Sequence, residues 1–287
     1  MGNRGHLSAT ARIRAYATIR RRRILFPVKS CLVRCKPTSH SSSFGTWRKG
    51  PAEAKRWSTI KTTLPRLPPH SERKTTTTGR LTLRPLQNDS HDLAALHALR
   101  TDEKVMRWSP RGRVDANLKE TYVHDLEFLA DPSLNSEHLA YAICLKSNGE
   151  FIGYGGLSCR PEFVGWPAVS FVIKSDLWGQ GYATEFLEGF VDMWRRLPRK
   201  LAVIRVLVNT VYGDSEIKDE CLAGNPTYDN VACHRVLEKS GFEKREEFDE
   251  YNHRRKKKER RHGWVMKKSN AHFLEEQLSA LQITGCN

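Results

Sequence analysis

Apolar and polar positions alternate over the C-terminal two thirds of the chain in a way that predicts short strands separated by amphipathic helices. Residues 80–86 alternate between apolar and polar side chains and form the first predicted strand, and two helices follow, the second capped by Asp115. Residues 138–145 and 151–158 are rich in β-forming side chains, and the Asn-Gly pair between them is a strong hairpin signal. We therefore expect these two strands to pair antiparallel.

The alternation of strands and helices continues beyond this hairpin. The predicted strands are 169–173, 202–211, 242–251 and 263–267, and the predicted helices are 183–194, 230–240 and a closing one within 269–287. Residues 202–211 are so rich in β-branched side chains that we expect a buried strand there. The polar stretch 212–229 indicates an insertion. Seven cations surround Glu259 in 254–261, which indicates an exposed hairpin tip or a nucleic-acid contact.

Two glycines lie in residues 178–185, between a predicted strand and a predicted helix. Gly179 and Gly181 let the backbone approach a ligand closely, and the N–H groups at a helix start carry about half a positive charge. The loop therefore predicts an anion site. Thr184 stands where a dinucleotide-binding fingerprint has its third glycine, which argues against that class of site. On these residues alone, an ordinary turn between a strand and a helix is the alternative.

Positive charge is concentrated at the N-terminal end of the chain. Residues 1–80 contain 19 lysine and arginine residues against two acidic ones, and the net charge of the whole chain is +16. The basic segment has no sustained apolar period, so residues 1–79 are predicted to form a disordered extension. A mitochondrial transit peptide, an arm that contacts nucleic acid or the ribosome, and a tail without function are three interpretations of it.

Cysteine spacing and the lack of long apolar runs argue against several classes of protein. The seven cysteines show no zinc-type pairs, so we expect no metal. The sequence holds no run of 18 apolar residues, so we expect no membrane span. A reducing compartment is the default for such a chain. We expect a cytoplasmic protein, or a mitochondrial one if residues 1–79 act as a transit peptide.

Five segments carry a resemblance to a known family. They are 81–86, 103–108, 151–157, 177–185 and 230–242, of which the last two are the most specific. In this order they resemble the GNAT superfamily of N-acetyltransferases, and within it the RimJ/RimL-like branch, which acetylates protein N-terminal amines and small amines. The resemblance implies an α+β fold with a mixed, mostly antiparallel central sheet of six to seven strands flanked by helices. It covers residues 80–268 as the acetyltransferase domain, with 269–287 as a C-terminal helix or tail.

The resemblance also implies a site for acetyl-CoA as co-substrate. The backbone N–H groups of the glycine loop would hold the pyrophosphate, the strand before it would pair with the pantetheine arm, and an asparagine at a helix start would contact a pantetheine amide. The residues concerned are Phe171, Val172, Ile173, Trp178, Gly179, Gln180, Gly181, Tyr182, Ala183, Thr184 and Asn230. The Tyr182 side chain is expected to pack against helix 230–240, and Asn230 to cap that helix as well.

Catalytic side chains are harder to assign. Cys233 stands where this branch usually has a serine near the thioester sulfur, and its thiol is predicted to donate a hydrogen bond or a proton to the departing thiolate; the alternative is a buried cysteine that fills space. Ala168 stands where relatives often have a glutamate base, and Leu237 where others have a tyrosine acid. Glu162 and Tyr212 are outside candidates for a base that acts through water.

The missing base favours a weakly basic acceptor. An α-amine with a pKa near 7.8 is roughly 10 to 15% neutral at pH 7, whereas an unperturbed lysine is only about 0.04% neutral. We therefore expect direct acetyl transfer to a protein N-terminus or a small amine, in a ternary complex. The alternative is a non-catalytic acyl-CoA-binding or ribosome-associated protein, which the cationic segments favour.

Overall fold

The computed structural model describes residues 56–126, 130, 137–159 and 163–268. In this part of the chain the strands are β1 (Trp57–Pro65), β2 (Thr76–Thr77), β3 (Leu81–Pro85), β4 (His138–Leu145), β5 (Phe151–Ser158), β6 (Ala168–Ile173), β7 (Arg199–Leu207), β8 (Ile217–Lys218), β9 (Glu220–Gly224), β10 (Glu243–Asn252) and β11 (Lys257–Lys268). The helices are α1 (Ser90–Arg100), α2 (Glu103–Met106), α3 (Leu118–Thr121), α4 (Tyr182–Arg196) and α5 (Val231–Lys239). None of these helices has the length and apolar character that a membrane span requires.

Eight strands form the central sheet, in the order β10-β11-β9-β6-β5-β4-β3-β2. Neighbouring strands are antiparallel throughout, except that β6 and β9 are parallel. The sheet is thus mixed and mostly antiparallel, as the family resemblance implied, and the two-residue β2 adds an eighth strand to the six or seven expected. The predicted hairpin is confirmed, since β4 and β5 pair antiparallel.

Helices cover both faces of this sheet. On one face, α4 places a stripe of buried side chains against the strands, and α5 packs beside it: Phe186, Leu187, Phe190, Val191 and Trp194 of α4, with Leu237 of α5. Their spacing along α4 is that of an amphipathic helix, which is why the sequence pattern found it. On the other face, Leu96 and Leu99 of α1 pack against Ala140 and Ala142 of β4.

A second, three-stranded sheet has the order β7-β1-β8. β1 pairs with β7 along all nine of its residues, and Ile60 at its centre is buried against Val206 and Ala223. The prediction that residues 1–79 are disordered is therefore wrong for residues 56–79. The apolar residues of β1 are too few to indicate a strand by pattern. Its partner, β7, lies about 140 positions further along the chain. Residues 1–55 and 269–287, with the predicted closing helix, lie outside the described residues.

The strand at 202–211 is not the buried strand that the sequence predicted. The predicted strand 202–211 overlaps β7, which belongs to the small sheet and leaves Leu201 and Val203 more than half exposed. The strand that pairs with β6 is β9, whose five residues are all buried. β9 lies inside 212–229, the stretch expected to be a polar insertion. For residues 220–224 that expectation is wrong. β9 is too short to show a pattern, and it follows the charged residues Lys218 and Asp219.

Candidate functional site

The loop between β6 and α4 adopts a conformation that requires glycine. Gly179 has φ of 77° and Gly181 has φ of 83°, both in the left-handed region that other residues adopt at a cost of about 1–2 kcal/mol. Gly181 is the N-cap of α4 and, lacking a side chain, leaves the helix start without a capping group. The two glycines that the sequence singled out thus shape this turn.

The backbone N–H groups of this loop are available to a ligand. The first hydrogen bond of α4 runs from the Glu185 N–H to the Gly181 carbonyl at 3.0 Å. Among the described residues, none accepts a hydrogen bond from the N–H groups of residues 179–184. Residues 178–181 are exposed, so none of the described side chains covers the loop. Six N–H groups at the positive end of a 15-residue helix form a site suited to an anion.

Arg80 holds the loop in place, a role that the sequence did not reveal. Its Nη1 donates to the Gln180 carbonyl at 3.1 Å, its Nε lies 2.6 Å from Glu185 Oε2, and its guanidinium lies 4.3 Å from the centre of the Tyr182 ring. Glu185 also accepts from Thr78 at 2.6 Å. Partial burial by itself raises the pKa of Glu185, but the hydrogen bonds from Thr78 and Arg80 prevail and lower it. Glu185 is therefore an ionised anchor for the loop.

The edge of β6 opens next to this loop. β6 and β9 pair only where Ala168 meets Ala223, and beyond that point the two parallel strands separate. The Ala223 N–H of β9 donates to the carbonyl of Pro167, the residue just before β6, at 2.8 Å. Because successive residues of a strand point their backbone N–H and carbonyl groups to opposite sides, those of the odd-numbered residues of β6 face β9. Phe171 therefore presents its N–H and carbonyl to the gap, whereas those of Val172 face β5. The Ile173 carbonyl accepts from Trp178 Nε1 at 2.8 Å, so within the predicted segment 171–173 the open position is Phe171.

Helix α5 starts on the other side of the gap. The Asn230 side chain accepts from the Cys233 N–H at 3.2 Å, which confirms its capping role. Cys233 is half-buried against the core below α4, and burial raises the pKa of its thiol to about 12. A thiol with that pKa donates a hydrogen bond but does not match a free thiolate in basicity. The raised pKa therefore favours the predicted hydrogen bond over the predicted proton donation.

Neither the outside candidates for a base, Glu162 and Tyr212, nor His234 next to Cys233 is assigned that role. Both ring nitrogens of His234 are engaged: Nδ1 accepts from Trp264 Nε1 at 3.0 Å, so Nε2 carries the proton and donates to the Thr227 carbonyl at 3.1 Å. Tyr212 packs near the small sheet and donates to Glu243 at 3.1 Å, away from the gap. Leu237 is a core residue, 1% exposed. Glu162 lies outside the described residues.

A cavity of about 480 Å³ lies beside the start of α5. Three segments line it: Arg107, Trp108 and Ser109 after α2; Thr227, Tyr228 and Asp229 before α5; and Arg255, Lys257, Lys258, Glu259, Arg260 and Arg261 of the β10–β11 hairpin. Arg255 joins two of them, because its Nη2 donates to the carbonyls of Arg107 and Ser109. The sequence indicates an exposed hairpin tip or a nucleic-acid contact for these cations, because its pattern does not show which loop they face.

Comparison with solved structures shows the same fold in acetyltransferases. A ribosomal-protein-S5-alanine acetyltransferase from Vibrio fischeri is 14% identical, with 69% of this chain and 98% of that chain covered and a TM-score of 0.51. A probable GNAT acetyltransferase from Chromobacterium violaceum is 16% identical, with 67% and 85% covered and a TM-score of 0.51. An aminoglycoside acetyltransferase solved with coenzyme A is 18% identical, with 66% and 95% covered and a TM-score of 0.46.

Comparison by sequence identifies the family. No curated protein matches the chain. A family model described as an acetyltransferase (GNAT) domain matches residues 80–243, which is more than half of the chain. The glycine loop, the open edge of β6 and the start of α5 all lie within the matched residues. The chain therefore belongs to the GNAT acetyltransferase family and is an N-acetyltransferase.

Proposed function

We propose that this protein transfers the acetyl group of acetyl-CoA to a protein N-terminal α-amine or a small amine, by direct attack in a ternary complex. The observation that carries the proposal is the position of the free N–H groups of residues 179–184 directly after a strand with an open edge. A diphosphate fits the free N–H groups, and an extended chain with amide groups fits the open strand edge. Acetyl-CoA carries both, joined in one molecule.

The coenzyme site consists mostly of backbone. The free N–H groups of residues 179–184 hold the diphosphate, whereas the N–H of Trp178 donates to the Ser175 carbonyl at 3.4 Å. Phe171 pairs with a pantetheine amide as an added strand would. Arg80 keeps the loop open by holding Gln180 and Glu185. At the start of α5, Asn230 contacts the second pantetheine amide while its Oδ1 caps the helix.

The transfer itself requires a neutral amine next to the thioester. The nitrogen lone pair attacks the thioester carbon, a C–N bond forms, the C–S bond breaks, and coenzyme A leaves as a thiolate. The proton that the nitrogen loses goes to the thiolate through solvent. The Cys233 thiol, kept protonated by its raised pKa, donates a hydrogen bond to the leaving sulfur. Proximity supplies most of the acceleration, since both His234 nitrogens are engaged and no base is assigned.

A substitution in the glycine loop tests the coenzyme site. Gly179→Glu places a carboxylate among the N–H groups and is expected to weaken coenzyme A binding at least about tenfold, because like charges then meet at close range. Gly149→Glu is the matched control: its φ of 75° is nearly that of Gly179, and a Cβ at either position meets nothing within 4 Å. Both variants carry the same backbone strain and the same added charge. Calorimetric titration with coenzyme A compares them, and equal affinities would contradict the site.

Acceptor preference tests the direct mechanism. A peptide with a free N-terminus and no lysine is expected to be acetylated at least about tenfold faster at pH 7 than the same peptide with a blocked N-terminus and one internal lysine, because more of its amine is neutral. Mass spectrometry of the products and the release of coenzyme A thiol measure both rates. Faster transfer to lysine would refute the proposed acceptor. Coenzyme binding without turnover on any amine would instead support the non-catalytic alternative.

A further inference from the structure

The cavity beside α5 carries an unbalanced positive charge. Its lining contains six lysine and arginine side chains and two carboxylates, Asp229 and Glu259. Glu259 is buried and is already shared, with Arg255 at 3.3 Å and Arg261 at 3.2 Å. Arg261 further pairs with Glu250 at 2.6 Å. The carboxylates nearby thus neutralise the inner part of the lining and leave the outer part uncompensated.

Two cations in the lining have no anionic partner among the described residues. Lys258 makes no hydrogen bond or ion pair there, and Arg107 only stacks on Trp108, 5.0 Å from its ring centre. Arg260 pairs with Asp249 at 3.3 Å, but both side chains are 59% exposed, so this pair is weak and open to competition. Arg107 and Lys258 therefore line the cavity without an ion pair to any described residue, and the exposed Asp229 is the carboxylate of the lining that offsets part of their charge.

The position of the cavity connects it to the reaction. Thr227, Tyr228 and Asp229 line it and lead directly into Asn230, which caps the helix that carries Cys233. The same segment continues β9 beyond the point where β9 separates from β6. The hydrogen bonds of Arg255 to residues 107 and 109 hold the opposite wall against the hairpin. The cavity thus adjoins the start of the helix that carries Cys233.

We propose that the acceptor is a polypeptide whose free N-terminus is followed by acidic residues. This inference rests on the proposed acetyl transfer and names its substrate class. The acceptor carboxylates supply the counter-charges that Arg107 and Lys258 lack and compete with Asp249 for Arg260. The exposed Tyr228 offers an apolar surface to the residues between them. Nucleic acid also carries negative charge, but it has no primary alkyl amine to acetylate, so a peptide fits the charge and the chemistry together.

The same charges act on the amine itself. A positive environment disfavours the ammonium form and lowers the pKa of a bound α-amine, which increases its neutral fraction without a general base. A polycationic acceptor would be repelled by the same surface. The cavity therefore selects for acidic peptides by attraction and against basic ones by repulsion.

Matched peptides test the proposal. Three peptides share an N-terminal serine and continue with Glu-Asp-Glu, Gln-Asn-Gln or Lys-Arg-Lys. With the full chain at low salt, kcat/KM is expected to be at least about tenfold higher for the acidic peptide than for the neutral one, and lowest for the basic one. The preference should shrink at about 0.5 M salt because the charges are exposed.

Charge-removing variants locate the effect. The double variant Arg107→Gln with Lys258→Gln is expected to reduce the acidic-over-neutral preference at least about fivefold and to leave coenzyme A affinity unchanged. Lys200→Gln, an exposed lysine on β7, is the control and should retain the preference. Fluorescence anisotropy of labelled peptides gives a second measurement that does not depend on turnover.

Each outcome distinguishes this inference from the proposed function. Equal kcat/KM for acidic and neutral peptides, with normal acetylation of both, overturns the inference and leaves the acetyl transfer standing. A preference that survives in the double variant also overturns it. An oligoribonucleotide that binds tightly and loses binding in the double variant, while the peptides are acetylated equally, points to nucleic acid and overturns it as well. Absence of turnover and of coenzyme binding refutes the proposed function itself.

Discussion

Removing residues 1–79 is expected to unfold the acetyltransferase domain, whereas removing residues 1–55 is expected to leave it folded. The difference is the segment that contains β1. β1 is the central strand of its sheet, between β7 and β8, so without it the sheet has no strand pairs left. The nine residues of β7 that pair with it would expose their backbone groups, and Ile60 would leave the cluster that it forms with Val206 and Ala223.

A buried ion pair adds to this expected loss. Thr63 of β1 donates to Glu220 of β9 at 3.0 Å, and Arg199 of β7 contacts the same carboxylate at 2.6 Å. Glu220 and Thr63 are fully buried. The longer deletion therefore leaves a buried carboxylate with one partner fewer and opens the strand that carries Arg199. A buried charge that loses its partners costs several kcal/mol, out of a total stability of about 5–15 kcal/mol.

Thermal unfolding followed by circular dichroism compares the two truncated chains. Both lack residues 1–55, so that segment cannot cause a difference between them. We expect the longer deletion to be insoluble or to melt at least about 10 °C lower, since 1 kcal/mol corresponds to roughly 2–4 °C for a domain of this size. Melting temperatures within about 3 °C of each other would show that β1 is dispensable.

Asp115→Asn is expected to destabilise the domain by about 3–5 kcal/mol. Asp115 is buried, and three partners share its carboxylate: Arg100 at 2.6 Å, Arg111 at 2.7 Å and the Thr121 hydroxyl at 2.9 Å. Asparagine keeps the shape but removes the charge that two arginines require. Arg100 also lies 2.5 Å from Asp125, whose pKa is raised by burial, so that carboxyl is a poor substitute.

The pH dependence of this loss follows from the pKa of Asp115. Burial alone raises that pKa, but the hydrogen bonds from Arg100 and Thr121 prevail and lower it below the ordinary value of 3.8. The stabilisation by the charged form is therefore fully present above pH 3.8 and lost as the pH falls below it. The difference between the two proteins in free energy of unfolding, measured with urea, is expected to be constant from pH 5 to 7 and to shrink below about pH 4.

Asp192→Asn provides the control for this experiment. Asp192 pairs with Arg195 at 3.5 Å, but both side chains are about half exposed, so the loss is expected to stay within about 1 kcal/mol. A buried and an exposed aspartate thus undergo the same change. Equal losses in free energy of unfolding for the two variants would show that the ion pairs of Asp115 stabilise the domain no more than an exposed pair does.

Local patterns predicted the elements that depend on local chemistry. The amphipathic period found α4 to within two residues at either end, and the Asn-Gly turn found the β4–β5 hairpin. Asn230 was expected to cap α5 and does so, because capping involves only the next three residues. Asp115 shows the limit of such reasoning. Expected as a cap, it pairs instead with Arg100 and Arg111, and Asn117 caps α3.

The sequence by itself determined the glycine loop, because a left-handed φ at residues 179 and 181 depends on the absence of a side chain and on nothing distant. Only the tertiary structure decided which strand lies beside β6, what holds the loop in place, and which segments enclose the cationic cavity. Each of these depends on residues far apart in the chain, such as Arg80 with Glu185 or Arg255 with Ser109. Periodicity records which face of an element is buried but not what buries it, so those partners become visible only when the chain is folded.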